Sequence, residues 1–196
     1  SFDSSGNPVA IATGTDGQVL TSAGAGAQPA FEDAGGGFTL GTPVASASQS
    51  DVTFGSIPSG TTQIIITLHE VSLAATQHVR VQLGDGGGIE TGSYISEATT
   101  IIGDNSQTVN NTATSFVFMA NYANAGDAFS GSMILTLANA STNRWVYQSV
   151  SGSQNFAVTV AAGAGTKALS AEITQVKILA GASSTFDVGT LNIAYQ

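Results

Sequence analysis

The chain has 196 residues, enough for one domain of ordinary size and a tail; 42% are hydrophobic, but only 9% are charged, against roughly 25% in an average soluble domain. Four basic residues (Arg80, Arg144, Lys167, Lys177) and a net charge of −9 exclude nucleic-acid binding by phosphate neutralisation and adhesion to an anionic membrane surface. The absence of cysteine excludes disulfides and thiolate metal sites, leaving sheet packing and subunit contacts to stabilise the protein.

Residues 1–37 are rich in Gly, Ala and Ser, with short apolar pieces at Val9–Ile11, Val19–Leu20 and Phe31. Pieces this short bury little by themselves, so the segment is expected to be an extended arm for attachment or oligomerisation, ordered against other chains. Gly35-Gly36-Gly37 reads as a hinge into a second domain, residues 38–196. Ser1 in place of an initiator Met implies processing or a segment upstream. No apolar run approaches the roughly 18 residues of a membrane span, and no charged-then-apolar leader opens the chain.

From Phe38 the pattern becomes one of repeated short strands. Those expected are Phe38–Val44, Asp51–Ser56, Gln63–Leu73, His78–Leu83, Tyr94–Ile102, Thr114–Ala120, Phe129–Leu137, Trp145–Val150, Phe156–Ala161, Ala171–Ala180 and Thr190–Tyr195. Val79, Val81 and Leu83 alternate with His78, Arg80 and Gln82, the period-two signature of a half-buried strand. Turn residues separate the strands at Asp85-Gly86-Gly87-Gly88, Gly103-Asp104-Asn105 and Asn124-Ala125-Gly126-Asp127. No segment carries a helical stripe, and Ala162–Ala168, with two glycines, reads as a loop. Many short strands at regular spacing predict an all-β fold, an antiparallel jelly-roll β-sandwich with the extended N-terminal arm. A surface of Ser, Thr, Asn, Gln, Gly and Ala suits a protein whose neighbouring copies cover its faces.

Two stretches resemble known proteins. Gly14-Thr15-Asp16-Gly17-Gln18-Val19-Leu20-Thr21-Ser22, then Gly24-Ala25-Gly26 and Pro29-Ala30-Phe31, is similar to a motif of phage tail fibres and other virion appendages. Phe31 stands where Trp is usual and keeps the apolar ring. Ile173–Ile178, Gly181 and Phe186–Ile193, with the upstream Phe54-Gly55-Ser56-Ile57-Pro58, resemble the last and first strands of a jelly-roll module in phage fibre and head-decoration proteins. The resemblance implies a tail- or neck-fibre subunit on the exterior of the virion. It also implies a homotrimer held by its arm to other phage structural proteins, with Val19, Leu20, Pro29 and Phe31 as the oligomerisation and attachment contact. A capsid or neck decoration protein is the alternative. A host-surface glycan is a further expected partner of the head.

The candidates for chemistry are sparse. His69 and His78 lie on expected strands, no nucleophile elbow accompanies them, and they read as polar strand residues. Asp85 with Glu90, or Asp104 with Asn105, could hold a hard cation, but neither matches a calcium loop, and hydrogen-bonded turns explain both. Gly84–Gly88 and Gly163–Gly165 lack the Gly-Lys-Ser/Thr ending of a phosphate loop. Trp145 and Tyr147 point the same way along a strand, either as an exposed pair that stacks on a sugar or as a buried core pair, the latter preferred. Asn110-Asn111-Thr112 and Asn139-Ala140-Ser141 spell glycosylation sequons that have no meaning in bacterial cytoplasm. A carbohydrate-active enzyme, the third reading, would need paired carboxylates in a groove, and Glu70, Glu90 and Glu97 are the acids to test. No catalytic residue, metal site or cofactor is expected.

Overall fold

The computed structural model describes residues 5–24, 27–33, 36–102, 105–107, 112–123, 127–153, 159–181 and 183–196. The chain divides into two compact units, Ser1–Phe38 and Thr39–Gln196. Every strand pairing is antiparallel.

Among the described residues, the first unit contains one hairpin, β1 (Gln18–Thr21) against β2 (Ala30–Asp33). These residues of the expected extended arm pair with each other.

Among the described residues of the second unit, the regular structure is strand apart from one 3₁₀ turn. In chain order it contains β3 (Thr39–Leu40), β4 (Val44–Ala45), β5 (Asp51–Phe54), β6 (Gln63–Leu73), β7 (Gln77–Asp85), β8 (Gly88–Ile89), β9 (Ile95–Ile102) and β10 (Asn105–Gln107). There follow β11 (Phe116–Ala123), β12 (Phe129–Asn139), the turn Ala140–Thr142, β13 (Arg144–Ser153), β14 (Thr159–Ala168), β15 (Gln175–Leu179) and β16 (Phe186–Tyr195). The larger sheet runs β10-β9-β14-β13-β12-β6-β16-β3, with β4 also on β16. The smaller runs β11-β7-β15-β5, with β8 on β7.

The inner faces of the two sheets meet in one core, so the unit is an antiparallel β-sandwich. Ile64, Ile66 and Leu68 of β6, Met133 and Leu135 of β12, and Leu191 and Ile193 of β16 bury against Val79, Val81 and Leu83 of β7 and Val176 and Ile178 of β15. The period of two decides which residues enter, and burying each such side chain contributes about 1.5–3 kcal/mol. The two stretches read as first and last strands lie side by side. Phe54 is in register with Val176, and the Ile57 N–H donates to the Thr174 carbonyl at 3.0 Å.

One edge of the smaller sheet is closed by side chains of the larger. β11 pairs with β7 on one side only; on the other, the Val117 N–H donates to Ser96 Oγ at 2.8 Å and the Tyr147 hydroxyl donates to the Val117 carbonyl at 3.1 Å. Ser96 and Tyr147 hydroxyls lie 2.8 Å apart. The Tyr147 ring packs on Phe116, their centroids 4.3 Å apart.

This arrangement explains why Ala162–Ala168, read as a loop, belongs to strand β14. Gly165 stands opposite Tyr147, and a Cβ there would lie 2.0 Å from the Ile95 carbonyl oxygen and 2.7 Å from the Tyr147 ring. A Cβ at Gly163 would lie 3.0 Å from the Val117 carbonyl oxygen and 3.1 Å from the Tyr147 hydroxyl. These glycines let the ring cross the strand; they do not break it.

Other differences are local. Strand β15 starts at Gln175 rather than Ala171, because the polar side chains of Ser170 and Glu172 bond to other loops. Phe38–Val44 resolves into the two-residue pieces β3 and β4, parted at Gly41, whose backbone approaches the Ile193 carbonyl too closely for a Cβ at 2.9 Å. Residues 156–158 of Phe156–Ala161, Gly35 of the hinge, Gly103 and Asp104, and residues 124–126 of the following turn lie outside the described residues.

Gly165→Ala is expected to lower unfolding free energy by about 2–3 kcal/mol, since backbone atoms cannot yield to the new methyl. Gly92→Ala, with open space at its Cβ, is expected to be neutral or stabilising by about 0.4–1 kcal/mol. Urea denaturation of both variants reads the contrast; equal losses would contradict the crossing of Tyr147 over β14.

Candidate functional site

In the first unit, the motif residues build the hairpin and leave its apolar side chains outside. The Gln18 N–H donates to the Thr15 carbonyl at 3.2 Å and the Thr15 N–H donates to Gln18 Oε1 at 2.9 Å, a turn completed by Gly17 at φ +88°. Thr21 Oγ1 donates to the Ala30 carbonyl at 3.2 Å. The ring of Phe31 lies on the backbone of Gly14, where a Cβ would come within 2.5 Å of it. Leu20 and Phe31 are direct register partners and so share a face; they are 52% and 38% exposed. Val19 is also exposed, and Pro29 is half-buried. Ala25 and Gly26 of the motif lie outside the described residues.

In the second unit, the outer face of the larger sheet is apolar and nearly uncharged over β9, β14 and β13. Ile95, Ile101, Val160, Val146 and Val150 stand exposed there, with Ala162 and Ala164 among them. Glu97 and Arg144 are the charged residues pointing out from these three strands.

A polar cluster joins the end of β7, the start of the β8–β9 connection and the end of β14. Lys167 is 3% exposed; its ammonium pairs with Glu90 Oε2 and sits 5.2 Å from the centroid of the Tyr94 ring. Glu90 Oε1 accepts the Ser170 N–H at 2.7 Å. Ser170 Oγ lies 2.6 Å from Asp85 Oδ2 and 2.9 Å from Glu90 Oε1, close enough to donate to either. Asp85 Oδ1 accepts the Gly87 N–H at 2.8 Å, which fixes the Gly86-Gly87 turn into β8. The hydroxyl of Tyr94 accepts the Leu83 N–H at 2.8 Å and donates to the Glu90 carbonyl at 3.0 Å.

These bonds set the titration of the cluster. The Ser170 hydroxyl, and then the Gly87 N–H, hold the Asp85 carboxyl below the usual carboxylate range. Burial pushes Glu90 up, but the hydrogen bonds from Lys167 and Ser170 outweigh it and leave Glu90 low. Burial raises the Tyr94 hydroxyl, and pushes that of Tyr147 up to about 12. Asp85 and Glu90 thus spend their oxygens on a lysine, a serine and backbone N–H groups, as in a hydrogen-bonded turn. Among the described residues, no group of three or more His, Asp or Glu is placed to hold a metal ion. Asp104 lies outside the described residues.

The remaining candidates are dispersed. His69 is exposed on β6 of the larger sheet and His78 half-buried on β7 of the smaller, where burial and the nearby Arg80 guanidinium lower its pKa. Glu70 occupies a β-bulge at φ 52°, and Glu97 lies on the apolar outer face. Trp145 and Tyr147 are 1% and 4% exposed. The sugar-stacking reading of that pair is corrected: inward alternation of β13 buries both rings. Asn139 Oδ1 accepts the Thr142 N–H at 3.3 Å and the Ser141 hydroxyl at 2.8 Å, so this sequon is a turn cap; Asn110 and Asn111 lie outside the described residues. Among the described residues, no helix is long and apolar enough to cross a membrane. No protein-family model, curated protein or solved structure matches the chain.

Because Asp85 and Glu90 titrate lower in the folded state than in the unfolded chain, their stabilisation is complete above the ordinary carboxylate pKa values of about 4. It is lost as pH falls through the depressed folded values. Melting temperature is therefore expected to drop steeply below about pH 4. Glu90→Gln should cost roughly 3 kcal/mol at neutral pH, as it strands the buried Lys167, and should flatten the acid limb. Calorimetry across pH 2–7 measures both effects.

Proposed function

We propose that the chain is a non-enzymatic structural subunit of a tailed-phage appendage, a tail or neck fibre on the outside of the virion. Residues 1–37 attach it to other phage structural proteins and to sister subunits, and residues 38–196 form a jelly-roll head. The observation that carries this reading is the hairpin itself. Its two four-residue strands put Leu20 and Phe31 on one exposed face, and a lone two-stranded hairpin is marginal in water. A partner surface removes the liability. The motif that builds the hairpin is the one that resembles appendage proteins.

The jelly-roll reading is supported by strand order. Along the chain, β4, β5, β6, β7, β11, β12, β15 and β16 switch between the larger and the smaller sheet at every step except β7 to β11, which both lie in the smaller. Within the sheets these eight fall into the orders β4-β16-β6-β12 and β5-β15-β7-β11, the pattern of a rolled-up pair of Greek keys. Strands β9, β13 and β14 widen the larger sheet beyond β12.

A homotrimer is the assembly proposed. The exposed Ile95, Val150 and Val160 on a face with little charge suit burial against another copy. Copies held together present weak contacts at high effective concentration.

Mass photometry of the full chain is expected to give a species of three subunit masses. Leu20→Ser combined with Phe31→Ser should shift it toward monomer while the melting of the head stays unchanged, because both side chains are exposed on the arm. A stable wild-type monomer at micromolar concentration would defeat the trimer. Cryo-electron microscopy of intact particles without density for the head at an appendage would defeat the location.

A further inference from the structure

Among the described residues, five side chains bury a polar atom that has no hydrogen-bond partner: Arg80 Nε, Ser115 Oγ, Asp127 Oδ2, Trp145 Nε1 and Ser151 Oγ. Buried polar groups are nearly always satisfied, so each exception asks for a reason. Two of the five, Arg80 and Ser115, line the same concavity. It measures about 230 Å3 and is completed by Gln82, Thr114, Leu179 and Gly181.

The walls of this concavity are held in place. Arg80 and Gln82 stand on the outward side of β7, Arg80 in register with Leu179 of β15. Gln82 Nε2 donates to the Thr114 carbonyl at 3.0 Å and so ties the entry to β11 against β7. The Thr114 N–H donates to Thr112 Oγ1 at 3.2 Å, and the Tyr94 N–H to the Ala113 carbonyl at 3.0 Å. Gly181, at φ +83°, brings the chain close to Gln77 and His78, where a Cβ would be 3.0 Å from both. These bonds hold the walls of the concavity together.

The chemistry of the lining selects the occupant. Arg80 contributes a permanent cation, and among the described residues no carboxylate forms an ion pair with it; Glu90 is held by Lys167 and Asp51 by Lys177. Ser115 is 1% exposed and contributes a hydroxyl. Leu179 supplies an apolar wall. A guanidinium recognises a planar anion through parallel N–H donors, and a neighbouring hydroxyl adds a third bond. The volume is under the roughly 300–1,000 Å3 of a drug-sized pocket, which limits the occupant to one sugar-sized or amino-acid-sized group.

We propose that the Arg80–Ser115 concavity is a binding site for a carboxylate-bearing small ligand, either a free organic acid or the acid group of a uronic sugar. The carboxylate pairs with the guanidinium and accepts from Ser115 Oγ, and the rest of the ligand rests on Leu179. This site is independent of the role assigned to the arm. The net charge of −9 opposes long-range capture of an anion, so the titration is carried to high ligand concentration.

Nuclear magnetic resonance titration of the full chain tests the proposal with acetate, glucuronate and glucose as probes at constant ionic strength and pH 7. His78, two residues from Arg80 on the same side of β7, serves as reporter. Saturable shifts at His78 and along β7 and β15 are expected with glucuronate or acetate, and none with glucose. Glucuronate binding at least tenfold tighter than acetate assigns the site to an acidic sugar; comparable affinities assign it to free acids. Arg80→Gln should abolish the shifts, and Ser115→Ala should weaken binding about tenfold. Ser115→Ala should also leave the fold intact, since it removes an unsatisfied hydroxyl. Absence of shifts at 20 mM of either acid, equal binding of glucose, or undiminished binding in a folded Arg80→Gln or Ser115→Ala variant would overturn the site.

Discussion

The head depends on how the free edge of β11 is closed. A strand edge buried beside another sheet leaves N–H and carbonyl groups without ladder partners, each costing about 1–3 kcal/mol if unpaired. Here Ser96 and Tyr147 from the larger sheet take the place of a neighbouring strand at Val117, and Ser149 Oγ reaches the Phe118 carbonyl at 3.4 Å. The same tyrosine ring fills the core against Phe116. Its passage requires Gly163 and Gly165 on β14. One side chain therefore links edge closure, core packing and the width of the larger sheet.

The polar cluster at Lys167 works by the same logic at another corner. A lysine buried to 3% exposure is tolerable when a carboxylate and an aromatic face receive its charge. Glu90 then passes the constraint to Ser170, and Ser170 to Asp85 and the β7–β8 turn. Across a nearby loop, Glu172 accepts from Ser59 Oγ at 2.9 Å and from the Gly60 N–H at 2.5 Å. Glu90, one of the acids named from the sequence, is thus used as a strut, and so are Asp85 and Glu172. The surface, by contrast, is left largely to uncharged residues, as the proposed assembly of neighbouring copies would require.

Much of the candidate surface was legible from residue order. Val19, Leu20 and Phe31 stood out as apolar islands in a Gly-rich stretch, and their exposure follows from the lack of any core around them. The Arg80–Ser115 concavity was not legible. The alternation of Arg80 with Val79 and Val81 tells only that it faces outward. That Ser115, 35 positions later in the chain, comes beside it depends on the antiparallel register of β11 on β7, which no local pattern encodes. Trp145 and Tyr147 were legible as a pair on one face, but the choice between solvent and core rested on which side of β13 meets the smaller sheet.

The sequence by itself determined the class: short β-branched and aromatic runs, period-two alternation and frequent turn residues leave antiparallel sheet as the way to satisfy the backbone. It also set the limits on chemistry, because the absence of cysteine and the scarcity of basic residues do not depend on the fold. Tertiary structure decided the rest. Whether Gly163 and Gly165 break a strand or admit a ring, whether Glu90 pairs with Lys167, and which residues stand beside Arg80 are questions of long-range register. Register is a property of paired strands distant in the chain, and its energy resides in contacts that exist only after they have come together.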